Sequence, residues 1–349
     1  MRYPITMFLY NHLKIIANNI YRDKQGQWHL FCIIPFGKIL SERKPYMLQK
    51  TINAEISARG LGLHTGRDVT VRLRPAPAGS GRSLKRLDLP GAPALKVEAS
   101  NVTGTTLSTT LGLGENSIST IEHLFSALLA LEVDNLLVET DGPELPIFDG
   151  SAAPWLYLLN EAGLAHQAAP RNFQTLTRPF RLEAGDRYIE ARPAGHLSVE
   201  AHIDFGGFIG RQSFCLVVSP ETFALEISRA RTFCLARDVE NMRAMGLAKG
   251  GSLANAVVVG DDGLLNPEGL RYPDEFVRHK FLDFLGDLAL AGAPLRGHFI
   301  IHKPGHELNC RFVRAALAEP GLLAASPAEP ENQSPASSRP FEFLMAMTA

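Results

Sequence analysis

Residues 271–292, RYPDEFVRHKFLDFLGDLALAG, make a helix-length segment that is apolar on nearly every side. Phe276, Val277, Phe281, Leu282, Phe284, Leu285 and Leu288 leave no broad polar face, so this helix has to be enclosed by other elements. Pro273 stands near its start, where a missing N–H is tolerated, and Gly292 and Pro294 lie past its end. Yet His279, Asp283 and Asp287 recur every fourth residue and fall along one row of the helix. A buried row of one histidine and two carboxylates needs a cation or other partners, because unpaired buried charge is very costly. Spacing alone leaves two readings: ligands aimed at one ion, or a salt-bridged row with Arg278 and Lys280 nearby, which is the commoner arrangement.

Enclosing such a helix calls for sheets on its flanks, and the chain supplies their signals. At 349 residues it is long enough for two domains, each with its own core. DVTVRLR (68–74) alternates Val69, Val71 and Leu73 against polar neighbours, a half-buried strand, and DNLLVET (134–140) reads as another. STIEHLFSALLALEV, opening at Ser119, and PWLYLLNEAGL, closed by Gly163, read as helices. AHQAAPRNF (165–173) loses the apolar pattern and carries Pro170, as a linker would. Beyond it HLSVEAHIDF points Leu197, Val199, Ala201, Ile203 and Phe205 inward, and RGHFIIHKPGHELN is strand, Pro-Gly turn and helix start. Strands interleave with helices in both halves and no glycine fingerprint of a repeating βαβ unit occurs. The expected class is therefore α+β: two stacked sandwiches, each with helices on a mostly antiparallel sheet. The expected boundaries are an extension over 1–46, a first domain over 47–167, a second over 172–319 and a disordered tail from 320, rich in Ala, Pro, Ser and Glu. Met47, where orderly patterning begins, reads as a candidate true start.

Two further signals carry chemistry. Glu122-His123 lies on the helix that opens at Ser119; the spacing also fits a capping box, with Glu122 three residues after Ser119. A hydrolytic zinc site needs three protein ligands, an open position and a general base, and Glu beside His can meet two of those needs. Lys303-Pro304-Gly305-His306 is a turn after a strand that leaves His306 at a sheet edge, as a catalytic histidine or as one with no role.

The segments GLGLHTG (60–66), STIEHLFSALLAL (119–131), DNLLVE (134–139), ELPIFDGSAAPW (144–155), ISRARTF (227–233), DEFVRHKFLDFLGDL (274–288) and KPGH (303–306) together resemble the UDP-3-O-acyl-N-acetylglucosamine deacetylases. The resemblance runs in order from about Met47 to about residue 318. It implies a fold of two α+β layers with the site between them, and removal of acetate from a UDP-linked, O-acylated amino sugar in lipid A synthesis. It implies one Zn2+ held by His123, His279 and Asp283, with Glu122 as general base and His306 as the cation that stabilises the oxyanion and protonates the leaving amine. Asp287 would keep His306 charged and oriented, and Thr232 would donate to the tetrahedral intermediate. Phe233 and Lys280 would line the sugar site, with Lys303, Asp204 and Phe205 toward the nucleotide. An insert at about 234–266 would form a passage for the acyl chain, using Leu235, Met242, Met245, Leu247, Leu253, Val257 and Val259, approached by Leu107 from the first domain.

The bulk properties are compatible with this. A net charge of −1 supplies no basic surface for nucleic acid. No stretch reaches the roughly 20 apolar residues that span a bilayer. The four cysteines (Cys32, Cys215, Cys234, Cys310) lack CxxC spacing and suit a reducing compartment. A monomeric cytoplasmic enzyme is expected. The competing expectations are a zinc amidase for another N-acetyl sugar and a non-catalytic sugar-nucleotide or acyl-chain binder; the second predicts a broken constellation, whereas every assigned residue is present.

Overall fold

The computed structural model describes residues 20–22, 28–30 and 47–327. The chain divides into units 1–44 and 45–349. In the first, Ile20–Arg22 pairs antiparallel with Trp28–Leu30, Tyr21 opposite His29; the rest of the expected extension lies outside the described residues.

The second unit begins with a five-stranded sheet in the order Ile56–Leu61, Asp68–Pro75, Leu136–Thr140, Arg82–Arg86, Leu95–Lys96. The alternation read in DVTVRLR is realised: Val69, Val71 and Leu73 are buried while their neighbours are not. Leu136–Thr140 runs antiparallel to Asp68–Pro75 and parallel to Arg82–Arg86. The helices of this half are Glu122–Ala130 and Ala153–Ala162, the latter ending at Gly163 with φ +68°. A seven-stranded sheet makes the other half. At its centre Leu295–His302 pairs with Arg187–Arg192 on one side; on the other it meets Asn172–Leu176 at its start and Leu197–Asp204 along the rest. Most pairings in both sheets are antiparallel, so the α+β expectation stands.

The long helix spans Glu275–Leu288 and is buried between these parts. Phe281 meets Phe214 of the Arg211–Val217 strand edge-on at 5.7 Å, and Phe284 meets Phe299 of the central strand at 5.6 Å. Its opposite side packs on the Glu122–Ala130 helix. The two approach so closely at Gly286 that a Cβ there would overlap the carbonyl of Glu122. A helix with a sheet on one side and a helix on the other has no face left for water, which accounts for its sequence.

Three expectations need correction. The expected linker at 165–173 is largely strand: Leu164–Pro170 pairs with Leu48–Ile52, and Asn172–Leu176 follows at once. Backbone pairing holds these residues without a strong apolar pattern, which is why the sequence hid them. The tail does not begin at 320, because Leu323–Pro327 pairs antiparallel with Asn172–Leu176, and Leu322 is fully buried; residues 328–349 lie outside the described residues. The capping box does not form. The Ser119 hydroxyl donates to the Pro143 carbonyl, Ile121 is the N-cap and Glu122 is the first helical residue.

Candidate active site

The close approach at Gly286 sets Glu122 and His123 opposite the row His279, Asp283, Asp287. His123, His279 and Asp283 are all buried, and their ligand atoms lie within 4.8 Å of one another. Among the described residues this is the one such group. His279 Nε2 is 3.3 Å from Asp283 Oδ1, and His123 Nε2 is 3.9 Å from the same atom. Ligands bound about 2 Å from one tetrahedral ion stand about 3.3 Å apart, so the spacing suits a single cation. One orphan supports the fit: Asp283 Oδ1 is buried without a hydrogen-bond partner. His279 Nδ1 lies 3.1 Å from the Ala230 carbonyl, to which it donates, leaving the Nε2 lone pair free to ligate. Burial, with His279 adding to it, pushes His123 down to about 3, and burial likewise lowers His279, which favours the neutral rings that ligation requires. Burial opposes ionisation of Asp283, but His279, Lys280 and the neighbouring histidines outweigh it and hold the carboxylate well below its ordinary range. Lys280 Nζ binds its other oxygen at 2.9 Å. The salt-bridged row and the ligand row therefore coexist, with one oxygen given to each.

The proton-handling pair sits beside this group. Glu122 accepts from the Thr109 N–H at 3.1 Å, and burial raises it to about 7 against the pull of His306. His306 opens the His306–Ala318 helix after a turn that places Lys303 at φ +48°. Its Nδ1 donates to Asp287 Oδ2 at 2.9 Å, while its Nε2 stands 3.9 Å from Glu122 Oε1. Burial alone would lower His306; Asp287, followed by Glu122, outweighs that and raises it to about 9. Asp287 also accepts from Asn309 Nδ2 and the Thr109 hydroxyl. Thr109 and Asn309 were not expected from the sequence, since an isolated Thr in a Ser/Thr-rich loop and an Asn on a helix carry no signal.

A cavity of about 710 Å³ opens from this group. Its walls include Thr232, Phe233, Lys280 and Leu107 of the expected substrate contacts. Thr232 and Phe233 are held there because the buried Arg231 guanidinium binds Glu275 of the long helix, Nε to Oε1 at 2.8 Å. The Lys280 ammonium lies 5.5 Å above the Phe233 ring. Lys303, Asp204 and Phe205 are not on this wall. Lys303 pairs with Asp186 at 2.6 Å and Asp204 with Arg211 at 3.1 Å. Phe205 lies just past its strand and is exposed rather than inward, edge-on to Phe233 at 5.3 Å. The insert folds as Phe233–Leu235 parallel to Val257–Val259, with the Val239–Ala244 helix between. Met242 and Leu253 reach the cavity, but Val258 does so in place of Val257 and Val259, which join the core. Leu235 and Leu247 are off the wall and Met245 is exposed. A short apolar run such as VVV does not reveal which of its faces points inward.

The chain matches the family described as UDP-3-O-acyl N-acetylglycosamine deacetylase over residues 49–318. It is similar to proteins named UDP-3-O-acyl-N-acetylglucosamine deacetylase from several bacteria. That of Anaeromyxobacter sp. (strain Fw109-5) is 47% identical over 279 residues, covering 79% of this chain and 90% of that protein. That of Myxococcus xanthus (strain DK1622) is 46% identical over 281 residues, 80% of this chain and 90% of the relative. That of Shewanella sp. (strain W3-18-1) is 46% identical over 277 residues, 78% and 90% respectively.

Proposed function

The chain belongs to the UDP-3-O-acyl N-acetylglycosamine deacetylase family, and from that premise we propose which of its residues carry the reaction. It is a metal-dependent amide hydrolase that takes acetate from UDP-3-O-acyl-N-acetylglucosamine in lipid A synthesis. The observation that best supports the assignment of roles is the buried convergence of His123, His279 and Asp283 beside Glu122 and His306 at a largely apolar cavity.

The resident ion in this reading is Zn2+, held by those three side chains. When bound it supplies Lewis acidity, which polarises a carbonyl and makes water more acidic. Glu122, lifted by burial close to neutrality, accepts the proton of the attacking water. His306 enters the reaction protonated, offers Nε2–H to the developing oxyanion and delivers that proton to the departing amine. Asp287 keeps the imidazolium charged through Nδ1. Thr232 adds a hydroxyl donor and Lys280 with Phe233 holds the sugar. Lys303, Asp204 and Phe205 reach the nucleotide beyond the cavity wall. The acyl chain lies along Met242, Leu253, Val258 and Leu107. The two sheet-and-helix halves, about 47–170 and 172–327, act as the domains of a monomer working in the cytoplasm. No described helix is long and apolar enough to cross a membrane.

Acetate release from a UDP-3-O-acyl-N-acetylglucosamine, followed before and after chelation and again with zinc restored, tests this reading. Activity lost on chelation and regained with zinc is expected. A folded, zinc-loaded protein inert on this substrate but active on another N-acetyl sugar would sink the substrate assignment.

A further inference from the structure

Glu144 has no part in the chemistry described above, yet it is fully buried and accepts four hydrogen bonds. Oε1 takes the His64 N–H at 2.8 Å and the Thr120 hydroxyl at 2.9 Å. Oε2 takes the Thr65 N–H at 2.8 Å and the Thr65 hydroxyl at 2.7 Å. Two donors are backbone amides of the GLHTG loop; the third and fourth are hydroxyls, one of them only two residues before the base Glu122. A buried carboxylate is tolerable only when its lone pairs are filled in this manner.

Both ends of this clamp reach the cavity. Thr120, held at φ +57°, is on the wall directly ahead of Glu122 and His123. His64 is on the wall beside the passage insert, and its loop carries that insert by three contacts. Ala248 N–H donates to His64 Nδ1 at 3.4 Å, Lys249 N–H to the His64 carbonyl at 3.3 Å, and Gly250 N–H to the Leu63 carbonyl at 2.9 Å. The ring's other nitrogen, Nε2, is buried, and the ring also interacts with the Leu107 backbone, so its orientation depends on these neighbours. The fit leaves no room for adjustment: a Cβ on Gly62 would strike the Glu144 carboxylate, and one on Gly250 would strike the Gly62 carbonyl. Two glycines of the sequence are thereby explained by one carboxylate and the loop that it holds.

We infer that Glu144 is a positioning residue that fixes the acyl passage relative to the general base, acting through Thr120 on one side and through His64 and the Ala248–Gly250 segment on the other. The inference rests on the deacetylase reading with its acyl passage. Amide cleavage and chain recognition occur at opposite parts of one cavity, so the chain helps catalysis only if the passage delivers the amide to Glu122. An error on the order of 1 Å in that delivery costs about a hundredfold in rate. Loosening the clamp therefore removes the advantage of a long chain while the reacting groups remain in place.

The test compares kcat/KM for a UDP-N-acetylglucosamine bearing a long-chain 3-O-ester with that for its butanoyl counterpart. Glu144→Gln keeps the shape but turns one acceptor oxygen into a donor. His64→Phe keeps the backbone bond to Glu144 and the ring, and removes the Nδ1 acceptor for Ala248. In both variants the long-to-short ratio is expected to fall at least tenfold, with bound zinc and the pH limbs of kcat unchanged. Folded variants that keep the wild-type ratio within about twofold, whatever their total activity, would overturn the inference; if Glu144→Gln does not fold, His64→Phe decides alone. A wild-type enzyme that releases acetate without preferring the long chain would overturn the passage reading as well as the inference.

Discussion

At the scale of single residues, burial lifts Glu122 and the Asp287 carboxylate lifts His306, so base and acid both titrate above their ordinary ranges. Glu122 must be ionised to accept a proton, so activity rises with pH through its value of about 7. His306 must be protonated to donate one, so activity falls as pH passes its value of about 9. A bound dication favours the deprotonated form of each and moves both limbs to lower pH. The expected kcat profile is a bell, measured from acetate release between pH 5 and 10. Asp287→Asn removes the carboxylate that does most to hold His306 charged, so the falling limb moves down by about 1–2 pH units. A falling limb left in place would remove Asp287 from its assigned role. Glu122→Ala and His306→Ala each lose activity by about 10²–10⁴ with zinc still bound, as metal analysis of the purified variants checks. These roles were only partly legible in the chain. His279, Asp283 and Asp287 declare themselves by their spacing on one helix, whereas Thr109 and Asn309 acquire meaning only where Asp287 meets them.

Between elements, the decisive contact is the crossing of Glu122–Ala130 over Glu275–Leu288. Gly286 is what permits it, since any side chain there meets the Glu122 carbonyl. Gly286→Ala would improve the helix in isolation, by about 0.8–1 kcal/mol, yet it forces the two helices apart at the base and its adjacent ligand. Overpacking of this sort costs about 1–3 kcal/mol, and the displacement of His123 from His279 weakens metal affinity in addition. The expected result is a lower melting temperature and easier loss of zinc to a chelator; a more stable variant with unchanged zinc retention would contradict the crossing. The long helix itself was readable from its all-round apolar character. Its neighbour across the gap was readable as a helix but not its start, because Ser119 and Glu122 satisfy a capping-box pattern that the tertiary contacts override: Ser119 is drawn to Pro143, and Glu122 is the first helical residue.

Across the whole molecule, the ordered chain runs past the point where its composition turns to Ala, Pro and Ser. Leu322 is fully buried, the Thr177 N–H donates to its carbonyl at 2.9 Å, and Leu323–Pro327 borders Asn172–Leu176. Truncation after Glu319 exposes that edge and empties the Leu322 site, a loss of about 1.5–3 kcal/mol for the side chain alone. The melting temperature is expected to drop by roughly 5 °C, whereas truncation after residue 327 leaves these contacts intact. Equal melting temperatures for the two truncations would show that the last strand contributes nothing.

Periodicity and glycine placement in the sequence by itself determined the α+β class, the buried helix and four of the strands, because burial and pleating impose periods that a single chain displays. Its long motifs also determined the family, since those residue types at those spacings rarely recur together. Only the tertiary structure decided that Leu164–Pro170 is a strand, that Val258 rather than its neighbours faces the cavity, and that Glu144 joins the base to the passage insert. Each of these depends on a partner tens of residues away. A hydrogen bond or a packed face between distant segments leaves no local period, so nothing in either segment alone announces it.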